Sequence, residues 1–150
     1  MPLLALVVWL QVARAEPVRV VIVVNASQPI TDISSADLRS IFLGQITRWP
    51  NHRAILPIVM PLDSTAGRLF LRHVIGMGEV DYAQNWIGVV FRGQAGSPPL
   101  VARSMAEAVR FVATHPEAIA VVTGIATDRN VRILTVGGAS PDAIEYPLRW

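Results

Sequence analysis

Residues 33–51 (ISSADLRSIFLGQITRWPN) constrain the fold most, because they contain a capped amphipathic helix with a defined end. Ser34 is a good N-cap residue, and Asp37, three positions later, lies near the positive end of the helix. Three large apolar residues then recur at helical spacing: Leu38, Ile41 and Phe42. Gly44 stands where a chain leaving a helix turns into the left-handed region. The segment predicts a helix that docks on a core through three large side chains.

Four apolar runs elsewhere predict β-strands. Residues 18–24 (VRVVIVV) and 118–123 (AIAVVT) are nearly continuous, which is typical of strands buried on both faces of a sheet. Residues 55–60 predict another strand, in which Pro57 favours a strand margin over the centre of a sheet. Residues 131–136 alternate in part and therefore predict a strand nearer an edge.

Three further helices are predicted, each from a recognisable pattern. Residues 63–65 (DST) can cap a helix that runs to Gly76, and residues 104–107 (SMAE) form a capping box for a later helix. Residues 79–90 place four apolar residues on one predicted face: Ala83, Trp86, Ile87 and Val90. Strands that alternate with helices indicate an α/β fold, a three-layer sandwich built on a mainly parallel sheet, with room for an antiparallel strand at an edge.

The amino end has the pattern of a secretory signal peptide. Residues 3–10 form a short apolar core, and residues 13–15 (ARA) fit the A-x-A cleavage pattern, which puts the cut before Glu16. An apolar core of this length is too short to span a bilayer. We therefore expect a signal peptide over residues 1–15 and one domain over residues 16–150. A buried first strand is the alternative for the amino end.

Composition argues against several classes of partner. The chain has 13 basic residues, all of them arginine, and 11 acidic residues, and the arginines form no run. No surface for a nucleic acid is therefore predicted. The absence of cysteine excludes disulfides and thiolate metal sites. An apolar fraction of 52% is enough for a packed core and argues against disorder.

Motifs for catalysis or cofactor binding are absent from the sequence. It contains no GxSxG, GxxxxGK[ST], HExxH or GxGxxG pattern. His52, His73 and His115 are far apart and lack metal-ligand spacing. The sequence therefore predicts a protein that is not an enzyme and has no cofactor and no metal. A small hydrolase, with a triad assembled from distant residues, is the remaining catalytic alternative.

Residues 63–68 (DSTAGR) combine the features of an anion-binding turn. Ser64 and Thr65 put two hydroxyls in the first turn of the predicted helix, a glycine allows close approach, and Arg68 follows one turn later. The segment comes after an apolar strand, so we expect it at the carboxyl end of that strand, where open α/β sheets bind ligands. The candidate ligand-binding residues are Asp63, Ser64, Thr65 and Arg68, with Ser27, after the first strand, as an outer candidate. An ordinary helix cap is the alternative for the same turn.

Several stretches between residues 18 and 123 resemble periplasmic phosphate-binding proteins, the receptors of phosphate ABC transporters, which have the type II periplasmic-binding fold. These stretches are VVN, SSADLRSIFLG with the tryptophan that follows it, the DST helix start, and AEAVRFV…PEAIAVV. In that family a strand of the IxxVxR type leads into S-D-G-S-G-T, which supplies an Arg, an Asp and hydroxyls to phosphate. By this resemblance, Asp63 corresponds to the family's Asp and Thr65 to one of its hydroxyl residues. Ser64 stands in place of a glycine, and Pro61 stands at the position of the Arg.

The resemblance covers one lobe of that two-lobed fold. It implies a periplasmic protein of a Gram-negative bacterium that binds a small oxyanion, phosphate by resemblance, for ABC-type uptake, with no membrane span after signal cleavage. The implied partners are the oxyanion and an ABC permease, a sensor protein or a second copy of the chain. A ligand-free periplasmic sensor or protein-interaction module that kept the fold is the alternative.

Overall fold

The computed structural model describes residues 18–124 and 128–150, and the predicted signal peptide lies outside them. The strands in this part of the chain are β1 (Val20–Asn25), β2 (Asp32–Ile33), β3 (Leu56–Val59), β4 (Leu100–Val101), β5 (Ala118–Thr123), β6 (Val131–Ile133) and β7 (Thr135–Val136). The helices are α1 (Ser35–Phe42), α2 (Thr65–Leu69), which continues into a π-helical turn (Phe70–Ile75), α3 (Glu79–Phe91) and α4 (Met105–Thr114). Within the same residues, no helix has both the length and the apolar character that crossing a bilayer requires.

Five of these strands form one sheet, in the order β4-β3-β5-β1-β6. β3 is parallel to both β4 and β5, whereas β1 is antiparallel to β5 and β6. Four of the five strands therefore run in one direction, which confirms the mainly parallel sheet. The sequence left room for an antiparallel strand at an edge. The edge strand β6 does pair antiparallel with its neighbour, but the strand that runs against the other four is β1, in the interior. A continuous apolar run predicts burial on both faces but does not determine strand direction.

Helices cover both faces of this sheet and complete a three-layer α/β sandwich. Alternate residues of β1 enter two separate cores. Val20, Ile22 and Val24 pack on the side of α1 and α3, together with the π-helical turn. Val21 and Val23 pack on the side of α4. β2 and β7 pair in parallel as a small second sheet.

The predicted positions of individual strands within the sheet are confirmed in part. β5 is the central strand and β6 lies at an edge, but the strand predicted over residues 131–136 is divided, since β7 pairs in the second sheet. Pro57 of β3 is paired with Ile119 of β5, while β4 pairs with β3 only from Ile58 onward. The proline, which has no N–H to donate, therefore has a neighbouring strand on one side only.

α1 forms where the sequence predicts it. The hydroxyl of Ser34 accepts a hydrogen bond from the Asp37 N–H at 3.0 Å, and the helix ends before Gly44, whose φ is +74°. Its three apolar anchors are buried: Leu38, Ile41 and Phe42. The amphipathic pattern therefore identifies both the helix and its buried face.

α3 buries a different face from the predicted one. The buried side chains are Tyr82, Trp86 and Val89. Three of the four residues predicted to share a buried face are exposed: Ala83, Ile87 and Val90. The Phe42 carbonyl accepts hydrogen bonds from Tyr82 Oη at 2.7 Å and from Trp86 Nε1 at 3.0 Å. Both donors reach this carbonyl because Tyr82 and Trp86 lie on the inward face of α3. The rotation of α3 about its axis therefore follows these two hydrogen bonds and not the face with the most aliphatic residues.

α2 and its π-helical turn are positioned by an aromatic cluster. The Phe70 ring packs edge to face against Phe42, with 5.2 Å between ring centroids, and against Tyr82, at 5.7 Å. The turn ends at Gly76, with φ of +75°, where the sequence predicts the helix end. Because Phe70 is fixed in the core, the start of α2 has a defined place at the surface.

Candidate functional site

The carboxyl ends of β3, β4 and β5 meet at one edge of the sheet, because these three strands are parallel. Residues 60–64 follow β3, residues 102–104 follow β4, and Gly124 follows β5. β1 runs the other way and begins at this edge, where Val20 pairs with Thr123. We call this region the carboxyl edge. It is the part of an open α/β sheet at which ligands bind.

Ser64 is the N-cap of α2, and its hydroxyl is used within the turn. Its Oγ donates to the Pro61 carbonyl and accepts from the Gly67 N–H at 3.1 Å. Its backbone N–H also donates to the Pro61 carbonyl, at 2.9 Å. These bonds close residues 61–67 into a compact turn. The Ser64 hydroxyl therefore acts as a helix cap and is not free to bind an anion while that cap is formed.

Thr65 and Ala66 carry the free donors of the turn. As first-turn residues of α2, they have no intrahelical acceptor for their N–H groups. No other acceptor for these groups, and none for the exposed Thr65 hydroxyl, is found within residues 18–124 and 128–150. The turn thus has one exposed hydroxyl and two N–H groups, one on the exposed Thr65 and one on the buried Ala66, at the positive end of a helix.

Arg68 lies beside the same turn. Its Nη1 donates to the Asp63 carbonyl at 2.7 Å, which folds the guanidinium back toward the cap. The side chains of Arg68 and Asp63 are both exposed. The structure therefore brings together four of the five predicted site residues: Asp63, Ser64, Thr65 and Arg68.

Ser27 lies at the opposite edge of the sheet from these four residues. It follows β1, whose last residues lie beside the start of β5, as the pairing of Val24 with Ile119 shows. The Ser27 hydroxyl donates to the Asn25 Oδ1 at 2.7 Å, and the Asn25 side chain is itself anchored to the Val112 carbonyl at 2.8 Å. Because β1 is antiparallel, the structure does not place Ser27 with the turn at residues 63–68.

A second helix start lies at the carboxyl edge and was not among the predicted site residues. Ser104 caps α4 by accepting from the Glu107 N–H at 3.1 Å, and the exposed Arg103 precedes it. Gly124, with φ of +96°, lies against this helix, since a Cβ on it would be 3.5 Å from the Met105 sulfur. The capping box was recognisable in the sequence, but its place beside residues 60–64 depends on β4, a two-residue strand without a sequence pattern of its own.

Carboxylates with shifted pKa values are found away from the carboxyl edge. The pKa of Glu117, just before β5, is lowered chiefly by a hydrogen bond from Arg53, whose Nη1 lies 2.6 Å from Oε1. The pKa of Asp32 in β2 is lowered chiefly by a hydrogen bond from the Thr135 hydroxyl and next by the Gly138 N–H. Both arrangements tie segments of the fold together. In the part of the chain that the structure describes, no three potential metal ligands form a cluster.

The sheet order and the three layers match one lobe of a PstS-type periplasmic-binding fold. An ABC-type phosphate transport receptor from Vibrio cholerae matches 89% of this chain and 54% of its own, with a TM-score of 0.67 and 19% identity. PstS from Borrelia burgdorferi matches 89% of this chain and 55% of its own, with a TM-score of 0.68 and 16% identity. A putative phosphate ABC transporter substrate-binding protein from Clostridium perfringens, with bound phosphate, matches 83% and 47%, with a TM-score of 0.67 and 15% identity.

The chain spans about half the length of these solved receptors. At identities of 15–19% the likeness is one of fold. No family model matches the sequence, and no curated protein matches it significantly. The fold predicted from the sequence is therefore confirmed.

Proposed function

We propose that this chain is a periplasmic, non-catalytic solute-binding protein that binds a small oxyanion of the phosphate type for ABC-type uptake. The ligand would lie against the turn formed by Asp63, Ser64, Thr65 and Ala66. One observation carries the proposal: free hydrogen-bond donors of a helix start lie at the carboxyl edge of a lobe shared with phosphate receptors. Export through the signal peptide over residues 1–15 is part of the same proposal.

The donors of the turn suit an oxyanion. The N–H groups of Thr65 and Ala66, together with the Thr65 hydroxyl, offer three hydrogen bonds to oxygens of one anion, where the helix dipole favours negative charge. Arg68 adds a positive charge beside the turn, and release of its bond to the Asp63 carbonyl would free a planar fork of donors. Asp63 accepts a hydrogen bond from a protonated phosphate oxygen, which sulfate lacks near neutral pH.

Binding by one open lobe is expected to be weak. Asp63, Thr65 and Arg68 are exposed, so water competes for every hydrogen bond and screens the charges. Pro61, at the position of the family's Arg, brings no cation. We expect a dissociation constant on the order of millimolar, about −4 kcal/mol.

An NMR titration tests this proposal. Phosphate, sulfate and chloride are added to the ¹⁵N-labelled chain at matched ionic strength, and the amide shifts of Thr65 and Ala66 are followed. Phosphate should move these two amides first and more strongly than sulfate does. Thr65→Val should weaken phosphate binding several-fold, whereas Thr47→Val, before β3 at the opposite edge, should leave it unchanged. Shifts confined to other residues would place the anion elsewhere.

The second candidate is a ligand-free periplasmic sensor or protein-interaction module. The observation that favours it is that the Ser64 hydroxyl and the Arg68 guanidinium already have hydrogen-bond partners inside the turn. In this case no amide at the carboxyl edge responds to phosphate at millimolar concentration. An ABC permease or a sensor protein would then be recognised through the protein surface alone.

A further inference from the structure

α3 has a second apolar stripe on its outer surface, separate from the buried one. We call it the outer stripe, and its members are Val80, Ala83, Ile87 and Val90. Their spacing of three, four and three residues is that of the a and d positions in a pair of packed helices. Val80 is 69% and Ile87 70% exposed. An apolar seam of this regularity, on a helix that is already anchored through its other side, packs on no core formed by residues 18–124 and 128–150.

We propose that the outer stripe is an interface with a second copy of this chain, in which two α3 helices pack antiparallel about a two-fold axis near residue 85. The stripe is symmetric about that position. In the antiparallel register Val80 lies opposite Val90 of the second copy, and the small Ala83 lies opposite the large Ile87 of the second copy. The small Ala83 thus leaves room for the large Ile87, while the two valines meet as side chains of equal size, an arrangement that interdigitated helix packing accommodates. A two-fold axis needs such a self-complementary patch.

The charges at the ends of α3 favour the antiparallel arrangement. Glu79 and Asp81 lie in the first turn, and Arg92 caps the other end. Antiparallel packing puts the acidic end of each helix near the Arg92 end of the other and sets the two helix dipoles head to tail. Parallel packing would put four carboxylates side by side, which costs affinity. The outer stripe itself contains no charge.

The exposed apolar area supplies more than half of the surface that a homodimer interface needs. Phe91, 91% exposed, extends the outer stripe at its carboxyl end, and Val101 of the edge strand β4, 57% exposed, lines the same apolar groove. Together these side chains expose on the order of 500 Å² of apolar surface, within the range for the largest patch on a monomer. A stable interface of standard size buries roughly 800 Å² per partner. Modest polar contacts at the rim would supply the difference.

Sedimentation of the full chain tests the proposal, with a matched pair of substitutions. The unaltered chain should be a dimer at micromolar concentrations. Ile87→Glu should weaken dimerisation at least ~30-fold, the scale of an interface hot spot. Ile144→Glu, the same change at another exposed isoleucine outside α3, should not. A monomeric unaltered chain, as expected if residues 1–17 or another protein cover the stripe, would overturn the proposal, and so would a dimer that Ile87→Glu leaves intact.

Cysteine cross-linking tests the antiparallel register, and the chain has no cysteine of its own. In the proposed dimer, an equal mixture of Val80→Cys and Val90→Cys chains should form a disulfide-linked heterodimer on oxidation, because these positions face each other. Val80→Cys alone should not, since ten helical residues separate the two copies of that position by about 15 Å, beyond disulfide reach. Rapid cross-linking of Val80→Cys alone would contradict the antiparallel arrangement.

Discussion

Gly67 packs directly beneath Pro61: a Cβ built on Gly67 would lie 2.1 Å from the Pro61 carbonyl oxygen. The same carbonyl accepts the Ser64 hydroxyl and N–H, while the Gly67 N–H donates to the Ser64 Oγ. The helix start and the loop before it are therefore one closely packed unit. Any side chain at position 67 would therefore force the backbone at Pro61 and Leu62 to move.

Gly67→Ala is predicted to destabilise the protein and to disrupt the turn. Alanine has the better helix propensity, but its methyl group would collide with backbone atoms of Pro61 and Leu62 that have no rotamer to change. We expect a loss of about 1–3 kcal/mol of unfolding free energy, the range for overpacking, measured by urea denaturation. Gly78→Ala is the control, because a Cβ at Gly78 meets nothing within 4 Å and its φ is −75°. Equal stability of both variants would contradict the packing described here.

The two aromatic donors to the Phe42 carbonyl are predicted to act as a coupled pair. Tyr82→Phe alone should cost about 0.5–1.5 kcal/mol, because Trp86 still donates to that oxygen. Tyr82→Phe with Trp86→Phe should cost more than the sum of the single changes, since only the double variant leaves the buried carbonyl without either donor. Urea denaturation of the four proteins measures the coupling. Strict additivity would mean that the carbonyl finds another donor.

Acid should weaken the connection between β2 and β7. Hydrogen bonds lower the pKa of Asp32 in the folded chain, so the unfolded chain binds a proton more readily. The stabilisation is present above the ordinary pKa of 3.8 and is lost as the pH falls through the lower folded value. Asp32→Asn should therefore show a smaller loss of stability between about pH 6 and about pH 3 than the unaltered chain, by urea denaturation. Glu145→Gln, at an exposed carboxylate, serves as the control, and an unchanged pH dependence in Asp32→Asn would refute the prediction.

The elements of this fold were predictable where a sequence pattern depends only on residues that are near one another in the chain. The Ser34 cap and the spacing of Leu38, Ile41 and Phe42 identify α1 and its buried face, since both depend on neighbours a few residues away. Pro57 likewise indicates the margin of a strand, where a neighbour is paired on one side only, because its missing N–H is a local property. The turn at residues 63–68 was predictable for the same reason, because its cap and hydroxyl residues are adjacent in the sequence.

What failed depended on distant contacts. The direction of β1 is set by its pairing with β5 and β6, about a hundred residues later in the chain. That direction also determines at which edge of the sheet Ser27 lies. The rotation of α3 is set by the Phe42 carbonyl, about forty residues earlier in the chain. β4 is too short to have a pattern, so the position of Ser104 beside the candidate site was not predictable.

The phosphate affinity of Pro61→Arg tests the central claim, that the turn at residues 63–66 is an oxyanion site, most directly. The substitution restores a cation at the position where the resembling receptors have arginine, and the affinity is read from the Thr65 and Ala66 amide shifts. The account predicts binding about 10- to 100-fold tighter than in the unaltered chain, the value of a hydrogen bond to a charged group. Pro50→Arg, which adds the same charge at an exposed position before β3, at the opposite edge of the sheet, should change affinity less than about 2-fold. A folded Pro61→Arg protein that binds phosphate no more tightly than Pro50→Arg would contradict it.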